Sequence, residues 1–438
     1  MALVVKNNMQ ATGTLNQLDK NANLMAKDLK KVSSGMKINS AEDDASGYSI
    51  GEKMDVQVHG LSQDSQNTQN GNSMLRTAEG AIQSTVDILS TLKEKAINAA
   101  NDTNTDADRA TIQKEVNTAI DQIDENANVT YNGVTMLDGS KNSAVVQPGT
   151  YTSLSNSSFS DEITIDSLMT DLKARDGDSL EVQVGDHVTV SYVQQGKTYT
   201  NTTEVADDTA FGDVFDWEPL TSNMTVIGSD TEIGSGPTGE KVYTADGHKA
   251  ITYRASNPGI AGQIAGLTVS VYKADGTPRI TANTVINNFT ETVRAQNPSP
   301  DNSLSYQIGT KANQNVRIGF TDLRAEALGL RATDGSCIQL TTQTAANAAI
   351  SAFDNAISKV LDEQTKVGSV ENRLDYTDAN LTTENENTTA SMSTIRDADM
   401  AKEMTEYTKH SILTQTAQAM LAQANSNGSS VLSLLRGE

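Results

Sequence analysis

The side chains of this chain with types suited to metal or nucleophilic chemistry are few. They are four histidines (His59, His187, His248, His410), one cysteine (Cys337) and an acidic group at Asp397, Asp399, Glu403 and Glu406. No two histidines stand close enough for a local metal site, and no His-Glu-x-x-His helix motif occurs. His187 and His248 read as surface or loop residues. The four acids span about two helical turns, and carboxylates near a helix start are stabilised by its dipole, so they read as a solvated face. The run Gly234-Ser235-Gly236-Pro237-Thr238-Gly239 lacks the Lys-Ser/Thr ending of a phosphate loop and reads as a turn. Cys337 has no cysteine to pair with inside the chain and reads as a small, half-buried apolar side chain. These residues predict neither catalysis, nor a metal, nor a cofactor.

The elements that would have to position such residues suggest a different purpose. All seven prolines lie between Pro148 and Pro300, which leaves both ends free to form long helices. In the first segment Val4, Ala11, Leu18, Met25 and Val32 recur every seven residues, with Leu15, Ala22 and Leu29 interleaved. Phe353, Val360, Val367, Leu374 and Leu381 keep the same step in the last third. Such spacing paints one apolar stripe along a helix. Helices are expected over 2–33, from about 46 to 99, from about 107 to 128, from about 341 to 395, and from about 398 to 425. The last carries Leu413, Ala417, Met420 and Ala424, and beyond it Val431, Leu434 and Leu435 form an apolar patch that predicts a partner.

Between about 145 and 303 the pattern changes to short alternating strands. Expected strands include Glu181–Val184, His187–Val193, Thr198–Val205, Val242–Thr244, Ala250–Arg254 and Leu267–Tyr272, with turns at Gln195-Gly196, Asp246-Gly247 and Asp275-Gly276. This stretch holds 11 of the 18 aromatic residues, so it should own a compact core that the narrow helical stripes lack. The expected fold class is α+β: an elongated coiled-coil core built from both termini, with an inserted β-rich outer domain.

The net charge of −23 and the absence of any basic run argue against nucleic-acid binding. No stretch is apolar enough to insert into a membrane, and no secretory signal pattern precedes the first helix. Taken alone, that suggests a cytoplasmic protein.

Several segments resemble the bacterial flagellins. Val32-Ser33-Ser34-Gly35-Met36-Lys37-Ile38-Asn39-Ser40-Ala41-Glu42-Asp43-Asp44-Ala45-Ser46-Gly47 is similar to that family's N-terminal signature. Tyr131-Asn132-Gly133-Val134 with Met136-Leu137-Asp138-Gly139, Ala325–Leu330, Ile395–Ala401 and the ending Val431–Arg436 are similar in turn. The resemblance covers roughly 1–141 and 304–436 and leaves the proline-bearing middle as the family's variable insertion.

The resemblance implies a subunit that polymerises with itself into a hollow helical filament whose rotation drives swimming. It implies three domains: 1–42 with 400–438 as the terminal coiled coil, 43–144 with 304–399 as a helical shell, and 145–303 as the outer domain. It implies terminal segments that order on assembly. It also implies export through the growing filament without a cleaved signal, which overturns the cytoplasmic expectation. Implied partners are an export chaperone at the C-terminal helix, hook-associated and cap proteins, and Toll-like receptor 5. The receptor-contact positions correspond to Leu89, Thr91, Lys95, Ile112, Glu115 and Ala119. Thr91 stands where a basic anchor is usual, Lys95 where an apolar one is, and Ala119 where an Arg is common, so weak receptor binding is expected. Alternatives are a hook–filament junction protein, an enzyme-bearing flagellin (disfavoured by the missing metal motif), and an insert that adheres to host glycans.

Overall fold

The computed structural model describes residues 8–437, without the side chains of 431–436. Along the chain run α1 (Met9–Ser34), α2 (Ala45–Ala99), α3 (Asp106–Ala127) and the hairpin of β1 (Thr130–Tyr131) and β2 (Val134–Thr135). The middle holds β3 (Ser153–Asn156), β4 (His187–Gln194), β5 (Lys197–Glu204), the one-turn α4 (Leu220–Asn223), β6 (Met224–Asp230) and β7 (Glu232–Ser235). It continues with β8 (Lys241–Tyr243), β9 (Ala250–Ala255), β10 (Ile264–Tyr272), α5 (Ile280–Ile286) and β11 (Thr290–Val293). A second hairpin, β12 (Leu304–Gln307) with β13 (Asn315–Ile318), precedes α6 (Gln343–Arg396) and α7 (Met400–Arg436). The chain is α+β and divides into two units. One is Met1–Asn67, Ile308–Gln314 and Tyr376–Glu438; the other is Thr68–Gln307 and Asn315–Asp375.

In the first unit α1 packs along α7, and the start of α2 packs along the end of α6. Ser65 donates to Asp378 (2.6 Å), Asn385 donates to the Val58 carbonyl (3.4 Å), and Leu61 and Leu381 are buried. α7 runs to Arg436, well beyond the expected end near 425.

The second unit begins with a helical core. Leu75, Ile82, Leu89 and Ala96 of α2, and Val116, Ile120 and Ile123 of α3, are all buried. So are Phe353, Val360, Val367 and Leu374 of α6. On the inner face of α3 Ile120 is buried with Val116 and Ile123, whereas Ile112 and Ala119 are only half-buried. Thr105 and Asp108 cap α3 reciprocally, so its first orphan amides are satisfied by side chains.

The β-rich insert belongs to this unit. One sheet has the order β10-β4-β5, another β11-β3-β9-β6, and β7 pairs with β8 as a separate ribbon. Between them lies a core with Leu154, Tyr192, Val269 and Leu267, and an aromatic cluster in which Phe215 stacks on Tyr253 and meets Phe211 and Phe289. The β4–β5 hairpin turns at Gln195-Gly196. Three expectations change. Glu181–Val184 is not a strand, because Asp186 captures the Gln183 amide (2.8 Å) in a turn and Glu181 takes φ 57°. β8 and β9 flank Asp246-Gly247 yet lie in different sheets. At Asp275-Gly276 the chain turns back as expected, with an antiparallel bridge from Tyr272 to Pro278, but the returning arm is short and runs into α5. The insert sits closely on α6: a Cβ at Gly266 would meet the Ala352 amide nitrogen at 2.8 Å, and Asn355 donates to the Ala265 carbonyl (2.8 Å).

Candidate assembly interface

The two most motif-like segments, 32–47 and 395–401, are far apart in sequence and meet in the first unit. Gly35 ends α1 in the left-handed region (φ 72°), returning its N–H to the Lys31 carbonyl (2.8 Å). The Lys37 amide then donates to the Arg396 carbonyl (2.6 Å), and the Ala398 amide to the Gly35 carbonyl (2.9 Å). Asp43 accepts from the amides of Asn39 (3.1 Å) and Ser40 (3.2 Å), and these bonds, Asn39's first, hold its carboxyl below the usual range. Asp44 accepts from the amides of Ser46 and Gly47 (both 3.0 Å), which starts α2. Arg396 pairs with Glu52 (3.0 Å) and lies over the Tyr48 ring. The signature residues thus build a polar corner that reverses α1 into α2 and α6 into α7.

From that corner α1 and α7 run together, and their packing is offset from the apolar stripe. The seam on α1 uses Leu18, Met25 and Val32, half-buried, together with Asn21 and Asp28, which are buried. On α7 it uses His410, Thr414, Ala417 and Ala424. Asp28 and the His410 ring nitrogen Nδ1 are hydrogen-bonded at 2.6 Å, and Lys31 faces Glu403 at 3.6 Å. At the far end Asn8 caps α1 by accepting from the Ala11 amide (3.0 Å), and its own NH2 donates to the Ala424 carbonyl (3.0 Å).

The second row of the sequence stripe is left facing outward. Leu15 and Leu29 are 45% and 51% exposed, and on α7 Leu413 and Met420 are 40% and 58% exposed. Ala11 and Ala22 are half-buried. Met9, Gly13, Leu413 and Met420 line an open groove beside Asn21 and Ala417. The polar members of the seam escaped sequence reasoning, which followed apolar residues only. Asn21 and Asp28, like His410, Ala417 and Ala424, keep the seven-residue step and could have been found by it. Val4 and the side chains of Val431, Leu434 and Leu435 lie outside the described residues.

The acids between Asp397 and Glu406 have structural duties. Asp399 caps α7 by accepting from the amides of Ala401 (3.0 Å) and Lys402 (3.2 Å), Asp397 accepts from Ser393 (2.5 Å), and Glu406 pairs with Lys409 (2.9 Å). Among the described residues no group of three or more His, Cys, Asp or Glu is placed to hold a metal ion. His59 and His248 are exposed, each beside an aspartate, and Cys337 is half-buried near Arg331.

Of the receptor-contact positions, Leu89 must be removed, because it is fully buried in the helical core. Thr91 is exposed and bonded to the Asp87 carbonyl. Lys95 pairs with Glu115 across α2 and α3 at 2.8 Å. Ile112 and Ala119 are half-buried.

Comparison with known proteins agrees with this architecture. The family model for the bacterial flagellin N-terminal helical region matches residues 5–142, and that for the C-terminal helical region matches 350–435. A flagellin of Clostridium tyrobutyricum is 34% identical over 424 residues, covering 97% of this chain and 99% of its own length. One from Bacillus subtilis is 29% identical over 452 residues, covering 99% of each. Among solved structures, the flagellar hook-associated protein-3 of Legionella pneumophila aligns with 78% of this chain and 98% of its own at 15% identity, with a TM-score of 0.34. With two helical regions matched at the ends and relatives aligned from end to end, the chain belongs to the bacterial flagellins, the non-enzymatic structural subunits of the extracellular flagellar filament.

Proposed function

We propose that α1 and α7 polymerise this flagellin through the outward row Leu15, Leu29, Leu413 and Met420, with the seam residues holding the two helices in register. The observation that carries this reading is the offset between stripe and seam: the chain's own helices cover one apolar row and leave the other open. Burying a Leu or Met side chain contributes about 1.5–3 kcal/mol, and a row repeated in every subunit suits helical self-assembly. In this reading 1–42 with 400–438 form the inner coiled coil, 43–144 with 304–399 the shell, and 145–303 the outer domain. Ala11, Ala22, Val4, Val431, Leu434 and Leu435 complete the row, and Phe353, Val360, Val367, Leu374 and Leu381 serve the core. Before assembly the same row on α7 is the natural surface for an export chaperone, and at the filament's ends for hook-associated and cap proteins.

The test is a Leu15→Asn, Leu413→Asn variant of the full chain. The critical concentration for polymerisation should rise at least about tenfold, given the burial lost. Polymerisation at the wild-type concentration would remove the proposal.

The second reading, Toll-like receptor 5 binding by α2 and α3, is supported only in a weak form. Thr91 offers no cation, Ala119 no guanidinium, and Lys95 occupies Glu115. An Arg at such a position can be a hot spot of about 2 kcal/mol or more. Titration of the receptor ectodomain should therefore show tighter binding for Thr91→Arg than for wild type. Nanomolar wild-type affinity unchanged by that substitution would refute it.

A further inference from the structure

Where the insert meets α6, three chemically complementary side chains are buried together, away from the α1–α7 pair. Lys359 of α6 and Gln263, just before β10, are 5% and 3% exposed, and the side chain of Glu291 on β11 is 4% exposed. Lys359 Nζ lies 3.0 Å from Glu291 Oε2, and Glu291 Oε1 has no hydrogen-bond partner among the described residues. With the Gln263 carboxamide turned so that both its atoms are matched, its oxygen accepts from Lys359 Nζ and its Nε2 donates to the Ala327 carbonyl (3.1 Å). The amine therefore sits against the carbonyl of a primary amide, and a carboxyl group touches the same amine.

We propose that this triad closes into an intramolecular amide cross-link between Lys359 and Gln263, with Glu291 as the acid–base group. Lys359 Nζ attacks Cδ of Gln263, forming the Nζ–Cδ bond. The neutral Glu291 carboxyl gives its proton to Nε2 as its other oxygen takes the one that Nζ loses, so the Cδ–Nε2 bond breaks, ammonia leaves and Glu291 ends as it began. No oxidant or co-reactant is needed, since one amide replaces another and a single proton moves. Burial favours the reactive protonation state on both sides: it pushes the Lys359 amine down and the Glu291 carboxyl up, against the opposing pull of the pair itself. A cavity of about 180 Å³ lined by Lys359, Ala327 and Arg294 adjoins the site and gives ammonia a path out. The reaction requires the folded unit, because 263, 291 and 359 meet only there. It would tie the β-rich insert covalently to α6 after export of an uncross-linked chain.

The competing account is a buried ion pair with a hydrogen-bonded amide and no covalent bond. Intact-mass spectrometry of the full-length protein, folded at neutral pH and then denatured, separates the two. The cross-linked chain is about 17 Da lighter than its sequence, and tryptic digestion yields one branched peptide joining 263 and 359. A Glu291→Gln variant should keep the sequence mass, and Lys359→Arg likewise, with circular dichroism reporting whether each is folded. The wild-type result decides even if neither variant folds. A folded wild-type protein at its sequence mass overturns the proposal, as does a loss of about 17 Da without the 263–359 peptide, which would mark a succinimide elsewhere. Cross-linking that persists in Glu291→Gln removes the role given to Glu291.

Discussion

Two stretches of helix in this chain share a seven-residue apolar step and use it differently. On α6, Phe353, Val360, Val367 and Leu374 are all fully buried within the second unit. On α1 the step places Leu18, Met25 and Val32 along the edge of a seam whose middle is Asn21 and Asp28, and Leu15 and Leu29 face outward. The first stripe is finished by its own chain and specifies a fold. The second is half-finished and specifies an assembly. Periodicity alone does not distinguish them; the residues beside the stripe do, because polar side chains at the neighbouring positions rotate the contact by one residue.

That contrast makes separate demands on stability. Phe353→Ala should destabilise the monomer by about 3–5 kcal/mol, since it removes a fully buried aromatic ring from a closed core. Chemical denaturation followed by circular dichroism reads this, and a loss below about 1 kcal/mol would mean that the core of the second unit is not closed. His410→Ala should cost the first unit about 1 kcal/mol by removing the bond to Asp28 from a thin, polar seam. The readout is the melting of α1 and α7 separately from the rest, for example by a fluorophore on α7. If the two substitutions cost the same, the distinction between closed and open stripe fails.

A smaller effect concerns acid. Hydrogen bonds from Asn39 and Ser40 hold Asp43 below its usual range, and those from Thr105 do the same for Asp108. A carboxyl whose folded pKa is depressed adds stability above the unfolded value, near pH 4, and loses it as pH falls through the folded one. Corner and α3 cap should therefore loosen below about pH 4, and Asp43→Asn should flatten that pH dependence for the first unit. An unchanged pH profile in Asp43→Asn would show that the corner is held by other groups.

Much of this was legible in the sequence, and the failures have physical causes. The long helices, their approximate limits and the β-rich middle followed from proline placement and periodicity, because helix interiors exclude proline. The strand at Glu181–Val184 failed because Asp186 competes for the backbone there, a side-chain effect that alternation does not register. The pairing of β8 with β7, and of β9 with β3 and β6, depends on contacts between distant segments, which turn residues cannot report. Leu89 was misplaced on a surface because a motif alignment carries no burial. The Lys359–Glu291–Gln263 cluster draws on three elements spread over almost a hundred residues, so no local spacing announced it.

The central claim, that α1 and α7 are completed by neighbouring copies whereas α6 is completed by its own chain, is tested most directly by hydrogen exchange on monomer and filament. Amides of 9–34 and 400–430 should exchange rapidly in the monomer and slowly in the filament, and those of 346–374 slowly in both. Equal protection of α1 and α6 in the monomer would contradict the account.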